Sequence, residues 1–275
     1  MSERGKYPAG VPCWVETLQP DPRTAMDFYG PLFGWEFARP APMPGDSGGQ
    51  YFVARLRDRD VAGIGSMPDR NSAPKVAWTT YVRVDGADES AERARGAGGS
   101  LRDGPFDASP AGRAAVLVDP SGAPVGVWEA GTREGAGVVN EPGAWSMSML
   151  YTTDPWGAKA FYGAVFGWQL DPPDLTAAQL GLWRLPGYVG GEPLQPVPRD
   201  VVGVLVPIGG DELGAVESTW SVDFWVADAD AAAERAARLG GRVIVPPYDT
   251  PGFRNVELAD PQGASFSISQ LVSGP

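Results

Sequence analysis

The sequence predicts an α+β fold built from four copies of one strand–helix–strand–strand–strand unit, two copies in each tandem half. Three observations carry this. The phrase FYGPLFGWEF, from Phe28 to Phe37, returns as FYGAVFGWQL, from Phe161 to Leu170. Each half then continues through an alanine-rich helical stretch, VDGADESAERARGAGG and later VADADAAAERAARLGG. Each half closes on a strand–turn–strand phrase, VLVDPSGAPVGVWE and ELADPQGASFSISQ. Self-similarity at this period marks a tandem duplication. A chain of 275 residues is long enough for two domains.

The elements follow in order. CWVETLQ, 13–19, alternates as a strand does. DPRTAMDFYGPLFG then places Ala25, Phe28, Tyr29 and Leu32 at helical spacing, and Gly34 ends the helix. Short strands are expected at Trp35–Ala38, Tyr51–Leu56 and Val61–Met67. The pattern restarts with a strand at Trp78–Val84, a helix at Ala87–Ala97, and strands near Leu101, at Ala114–Val118 and at Val125–Glu129. The second half repeats this order, with a longer loop between Leu170 and Asp200. The join GTREGAGVVNEPGA, Gly131 to Ala144, reads as a linker. One such unit cannot cover its own sheet, so two must pair. Phe28, Tyr29, Phe33, Trp35 and their counterparts Phe161, Tyr162, Phe166 and Trp168 read as core between helix and sheet.

Composition narrows the function. With 34 acidic and 22 basic side chains the net charge is −12, which disfavours nucleic acid and anionic membranes as partners. No apolar run is long enough to span a bilayer, and MSERGKYPAG does not resemble a signal peptide, so a cytoplasmic location is expected. The single cysteine, Cys13, cannot form an internal disulfide and reads as packing. Histidine is absent, which removes the commonest transition-metal ligand and the commonest general base at neutral pH.

The order of a first strand, "D…A..FY...FGW", "V.D.DA..…A...GG" and "DP.GA" resembles the vicinal oxygen chelate superfamily of glyoxalases, bleomycin-resistance proteins and extradiol dioxygenases. It is similar in particular to an actinobacterial group of tandem glyoxalase-like proteins. The resemblance covers roughly Pro12 to Gln270. It implies two glyoxalase-like domains, over 8–131 and 144–272, whose four βαβββ units form cup-shaped mixed sheets. In that superfamily metal ligands project from the first and last strand of each unit. Those places fall here on Trp14, on Gly63 or Gly65, on Thr79 and Gly126, and in the second half on Met147, on Gly203 or Leu205, on Ser221 and Ser267. None is a carboxylate or an imidazole, so no metal or other cofactor is expected.

Side chains alternate faces along a strand. The first cup is then lined by Trp14, Glu16, Thr79, Tyr81, Arg83 and Trp128, and the second by Met147, Met149, Tyr151, Ser221, Asp223, Trp225, Ser267 and Ser269. Flat aromatic walls suit a planar organic ligand, or they fill a cavity left by a lost metal. Glu16 in an apolar cup is expected to have a raised pKa suited to proton transfer, or to be held in an ion pair with Arg83. Asp223 faces the same choice, with Tyr151 or the serines as partners.

Two functions follow. One is a cofactor-independent enzyme of secondary metabolism, a lyase or isomerase of cyclase type. Its candidate catalytic residues are Glu16, Asp223 and Tyr81, acting on an aromatic or polyketide-like molecule. The other is a drug-binding protein of the bleomycin-resistance type. With four units in one chain, a monomer or a weak homodimer is expected. The halves differ at their inward positions, so the two cups are expected to bind a ligand unequally.

Overall fold

The computed structural model describes residues 5–43, 49–68, 75–172, 180–190, 197–209 and 217–272. The first half runs β1 (Pro12–Gln19), α1 (Pro22–Phe33), β2 (Glu36–Phe37), β3 (Ala41–Pro42), β4 (Gln50–Leu56) and β5 (Arg59–Ser66). It continues through β6 (Trp78–Arg83), α2 (Ala87–Gly96), β7 (Ser100–Ala108), β8 (Gly112–Val118) and β9 (Pro124–Ala130). The second half repeats the pattern as β10 (Trp145–Thr152), α3 (Pro155–Phe166), β11 (Gln169–Asp171), β12 (Gly181–Arg184) and β13 (Val201–Pro207). Then come β14 (Thr219–Trp225), α4 (Ala229–Arg238), β15 (Arg242–Thr250), β16 (Phe253–Ala259) and β17 (Ser265–Leu271). Among the described residues no helix is long and apolar enough to cross a membrane.

Local chemistry sets the repeated helices. Asp21 and Asp154 cap α1 and α3 through their carboxylates, and Pro22 and Pro155 follow where a missing N–H costs nothing. Gly34 and Gly167 end these helices at φ 74°, in the left-handed region that a side chain disfavours.

Strands pair within each half. The first sheet runs β2-β4-β5-β1-β6-β9-β8-β7, with β3 on β4, and the second runs β11-β12-β13-β10-β14-β17-β16-β15. The first strands of the two units in each half, β1 with β6 and β10 with β14, lie antiparallel at the centre.

The cores, by contrast, form across the halves. One gathers Val15, Phe28, Phe33, Ile64, Phe224, Leu258 and Phe266, uniting the first unit with the fourth. The other gathers Val82, Leu117, Val127, Leu150, Phe161, Trp168 and Trp183, uniting the second with the third. The sheets therefore meet through the faces opposite their cups.

The repeated phrases form the clasp of this arrangement. The Tyr29 hydroxyl donates to Asp260 Oδ2 (3.0 Å) and accepts from Trp78 Nε1 (3.0 Å). Tyr162 donates to Asp119 Oδ2 (3.1 Å) and accepts from Trp220 Nε1 (2.8 Å). Each aspartate also holds its own DPxGA turn through Oδ1, taking the amides of Ser121 and Ala123 or of Gln262 and Ala264. The "FY" of one half thus binds the "DP" turn of the other.

The join between the halves is not a loose tether, which corrects the linker reading. Ala136, Val138, Val139, Asn140 and Ala144 are buried. Ala136 donates its amide to the Cys13 carbonyl and accepts from the Tyr7 hydroxyl. Apolar side chains in this Gly-rich stretch pack against β1, an interaction that composition alone does not reveal.

Candidate functional site

In the first cup, β1 and β6 set Trp14 opposite Tyr81 and Glu16 opposite Thr79. β6 and β9 set Tyr81 beside Gly126 and Arg83 beside Trp128. The Glu16 carboxylate accepts one hydrogen bond on each oxygen, from Tyr81 (2.7 Å) and from Tyr51 (2.7 Å), and Trp14 Nε1 donates to the Tyr51 hydroxyl (2.9 Å). Burial raises the Glu16 pKa above the usual carboxylate range, while the two phenols and the Arg133 charge pull it back. Burial, and then the Glu16 charge, drive both phenols well above their ordinary value, so they act here as donors.

The expected pairing of Glu16 with Arg83 does not occur. The register places them four residues apart along the strands, about 13 Å. Arg83 turns instead to the Val84 carbonyl and to Asp85 (3.4 Å), and its buried Nε has no partner among the described residues. The cation near Glu16 is Arg133, from the join, which lies 5.5 Å from the Trp14 ring centre and 3.3 Å from Asp60. Trp128 Nε1 fixes this segment by donating to the Arg133 carbonyl (2.8 Å). Thr79 is half-buried beside Glu16.

Tyr51 and Arg133 escaped the sequence reading. A legible signal for Tyr51 existed in the glycines, which often mark close approach by a neighbour. A Cβ on Gly63 would lie 1.8 Å from the Tyr51 hydroxyl, and one on Gly126 would lie 2.3 Å from the Tyr81 ring. Two tyrosines therefore fill the space beside Glu16.

The second cup has another chemistry on the same scaffold. Met147 stands opposite Asp223, Met149 opposite Ser221 and Tyr151 opposite Thr219. Asp223 neighbours Ser267, and Trp225 neighbours Ser269. Asp223 does not pair with Tyr151. Its Oδ2 accepts from Ser146 (2.6 Å) and from Ser269, while the Ser267 hydroxyl also reaches the Val222 carbonyl (3.3 Å). Burial pushes the Asp223 pKa up to about 6, against the pull of these hydroxyls. Trp225 is buried, with Phe253 at 6.4 Å between ring centres. Met147, Met149, Tyr151 and Ser221 are half-buried. Burial raises the Tyr151 phenol, and the nearby Glu257, Tyr248 and Asp223 add to this. Sequence reasoning missed Glu257 and Tyr248 because it followed inward positions only on the strands carried over from the family pattern.

A cavity of about 60 Å³ lies beside Tyr7, Asn140, Trp145, Ser146, Met147 and Tyr188. Cys13, on the far face of β1, is fully buried, and burial drives its thiol pKa upward.

Metal centres of Mn(II) type need several oxygen or imidazole donors. The first floor offers one carboxylate, already bonded to two phenols, beside two glycines, and the second offers Asp223, already bonded to serines, with Glu257 two strands away across Ser267. Among the described residues no group of three or more His, Cys, Asp or Glu side chains could hold a metal ion. The donors present do not fit such a centre.

Paired βαβββ units forming two cups joined back to back define the vicinal oxygen chelate class of fold. Residues 14–128 and 147–269 each match the model of the glyoxalase-like domain, and the chain belongs to that family. CFP32 of Mycobacterium tuberculosis is 38% identical over 272 residues, covering 98% of this chain and 97% of that protein. DnrV of Streptomyces peucetius, an anthracycline biosynthesis protein, is 34% identical over 288 residues, covering 98% and 96%. Among solved structures, the Mn(II)-bound glyoxalase from Novosphingobium aromaticivorans superposes with a TM-score of 0.61 at 14% identity, covering 95% of this chain and 82% of its own. The 2,3-dioxygenase LapB from Pseudomonas sp. KL28 superposes with a TM-score of 0.62 at 14% identity, covering 97% and 94%. At such identities these two structures share the fold alone.

Proposed function

We propose that the chain is a metal- and cofactor-independent enzyme that performs acid–base chemistry on a planar, polyketide-like aromatic molecule in its second cup. The observation that carries this is Asp223. It is a buried carboxyl with a pKa near 6, held only by hydroxyls and set among Trp225, Tyr151, Met147 and Met149. A carboxyl titrating near the working pH can both take and give a proton. Serine hydroxyls suit either state, because they donate to the carboxylate and can rotate to accept from the acid. Glu16, by contrast, is engaged on both oxygens by tyrosines that fill the floor of its cup, so it reads as a structural support. The relative DnrV, named for anthracycline biosynthesis, supports a polycyclic polyketide-type ligand.

Proton abstraction from carbon is read by isotope exchange. Chelator-treated protein is incubated in D2O with a panel of hydroxyanthraquinones and their partly reduced forms, and deuterium at carbon is followed by NMR. Protein-dependent exchange or isomerisation is expected, falling about 100-fold in Asp223→Asn. Exchange that appears only on adding Mn(II), or that ignores Asp223, contradicts the proposal.

The half-buried carboxyl of Glu257, with no cation among the groups that shift it or Asp223, favours a second reading: sequestration of a cationic drug in the bleomycin-resistance manner. Tight binding of a ligand released unchanged, with no exchange, would select it.

A further inference from the structure

The second cup contains a carboxyl that Asp223 does not account for. Glu257 stands on β16, and register places Glu257, Ser267 and Asp223 in one row across β16, β17 and β14. Its neighbours in sequence, Val256 and Leu258, are fully buried in the core, so alternation turns Glu257 to the cup face with Asp223. Two strand spacings separate the two backbones, about 10 Å. That interval leaves room for the edge of a flat ring over Ser267.

Other acids near this half of the sheet already have work. Asp230 and Asp249 hold Arg254, at 2.6 and 2.9 Å. Asp223 holds Ser146 and Ser269. Glu257 is half-buried and has neither a hydrogen bond nor an ion pair among the described residues. The groups facing the two carboxyls are Tyr151 and Ser146 from β10, Tyr248 from β15, and Ser267 and Ser269 from β17; no guanidinium or ammonium is among those that shift them. A carboxyl partly withdrawn from water with no partner is costly to the fold and available to a ligand.

We propose that Glu257 is the second acid–base residue of this cup, a catalytic base working against Asp223 as acid across one planar substrate. This rests on the reading of the second cup as a proton-transfer site. In the step, the Glu257 carboxylate removes a proton from an sp3 carbon next to a carbonyl of a partly reduced ring, and the C–H electron pair enters the conjugated system. The Asp223 carboxylic acid delivers its proton to the far end of that system. The substrate leaves as its isomer, Glu257 is protonated, Asp223 is ionised, and exchange with water resets both. No oxidant or reductant is needed. The buried Asp223, held among hydroxyls that can accept from its acid form, serves as the acid, and the more exposed, unpartnered Glu257 serves as the base. Turnover requires Glu257 ionised and Asp223 protonated, so it falls as pH rises above about 6 and the Asp223 proton is lost.

The base is tested by a probe that needs only a base. Removal of the C3 proton of planar 5-nitrobenzisoxazole breaks its N–O bond and gives a coloured cyanophenolate. The full-length protein is expected to open this ring faster than acetate at equal carboxylate concentration. Glu257→Gln should lose about tenfold or more of the protein-dependent rate, Glu257→Asp should restore part of it, and the surface change Glu234→Gln should leave it intact. No protein-dependent rate, or a rate retained in Glu257→Gln, overturns the proposal. So does loss of the rate in both Glu257 variants while their circular dichroism stays native, since a shortened carboxylate should keep part of it. Loss of probe turnover in Glu257→Gln, with rescue by Glu257→Asp but no hydroxyanthraquinone exchanging deuterium, leaves Glu257 as a base and removes the proposed substrate class. Exchange that needs Asp223 but survives Glu257→Gln does the reverse.

Discussion

At the scale of single residues, Asp223 and Glu16 show how one kind of side chain takes two roles. Asp223 unfolded titrates near 3.8 and folded near 6. Between those values the folded protein holds the extra proton, so stability falls as pH rises through the window and stays reduced above it, by about 3 kcal/mol at most. Asp223→Asn should therefore be more stable than wild type at pH 8 and equal to it at pH 3, as read by denaturant melts at the two pH values. A gain in stability with a loss of activity is the pattern expected of a working group held in an unfavourable setting. Removing the Glu16 side chain should have the opposite effect on stability. Glu16→Ala leaves the Tyr51 and Tyr81 hydroxyls without their acceptor and should cost about 2–4 kcal/mol, visible as a lowered melting temperature.

At the scale of elements, the clasps between α1 or α3 and the opposite DPxGA turn join the halves. Tyr29→Phe and Asp260→Asn remove the two ends of one such hydrogen bond (3.0 Å). Each should destabilise the fold, and the double variant should lose less than the sum, with a coupling of about 1 kcal/mol in a double-mutant cycle. Additive losses would mean that the clasp is incidental. These motifs were legible in the sequence as core, and helix and strand order was legible from period and punctuation. Their partners were not, because Tyr29 and Asp260 lie 231 residues apart and no local pattern encodes that contact. The same limit hid Arg133, which reaches the first cup only because the join packs along β1. Tyr51 was closer to legible, since Gly63 and Gly126 have no room for side chains where the tyrosines stand.

At the scale of the whole molecule, duplication yields two cups with one backbone and two chemistries. The alternation rule put Glu16 and Asp223 on inward faces, and the register of β1 with β6 and β10 with β14 sets Glu16 opposite Thr79 and Asp223 opposite Met147. The rule could not say that the first acid is tied down by phenols and the second only by hydroxyls, because those partners come from strands far away in sequence. The cups should therefore bind unequally: calorimetric titration with a hydroxyanthraquinone should give one dominant site per chain, abolished or weakened by Trp225→Ala. Two equal sites would refute this division. The central claim is that metal-independent proton transfer resides in the second cup. Its most direct test is the rate of deuterium incorporation into a partly reduced hydroxyanthraquinone by metal-stripped wild type, Asp223→Asn and Glu16→Gln, measured side by side from pH 4 to 9. The account predicts that the Asp223 variant loses about 100-fold while the Glu16 variant keeps the wild-type profile; a collapse in Glu16→Gln with full activity in Asp223→Asn would contradict it.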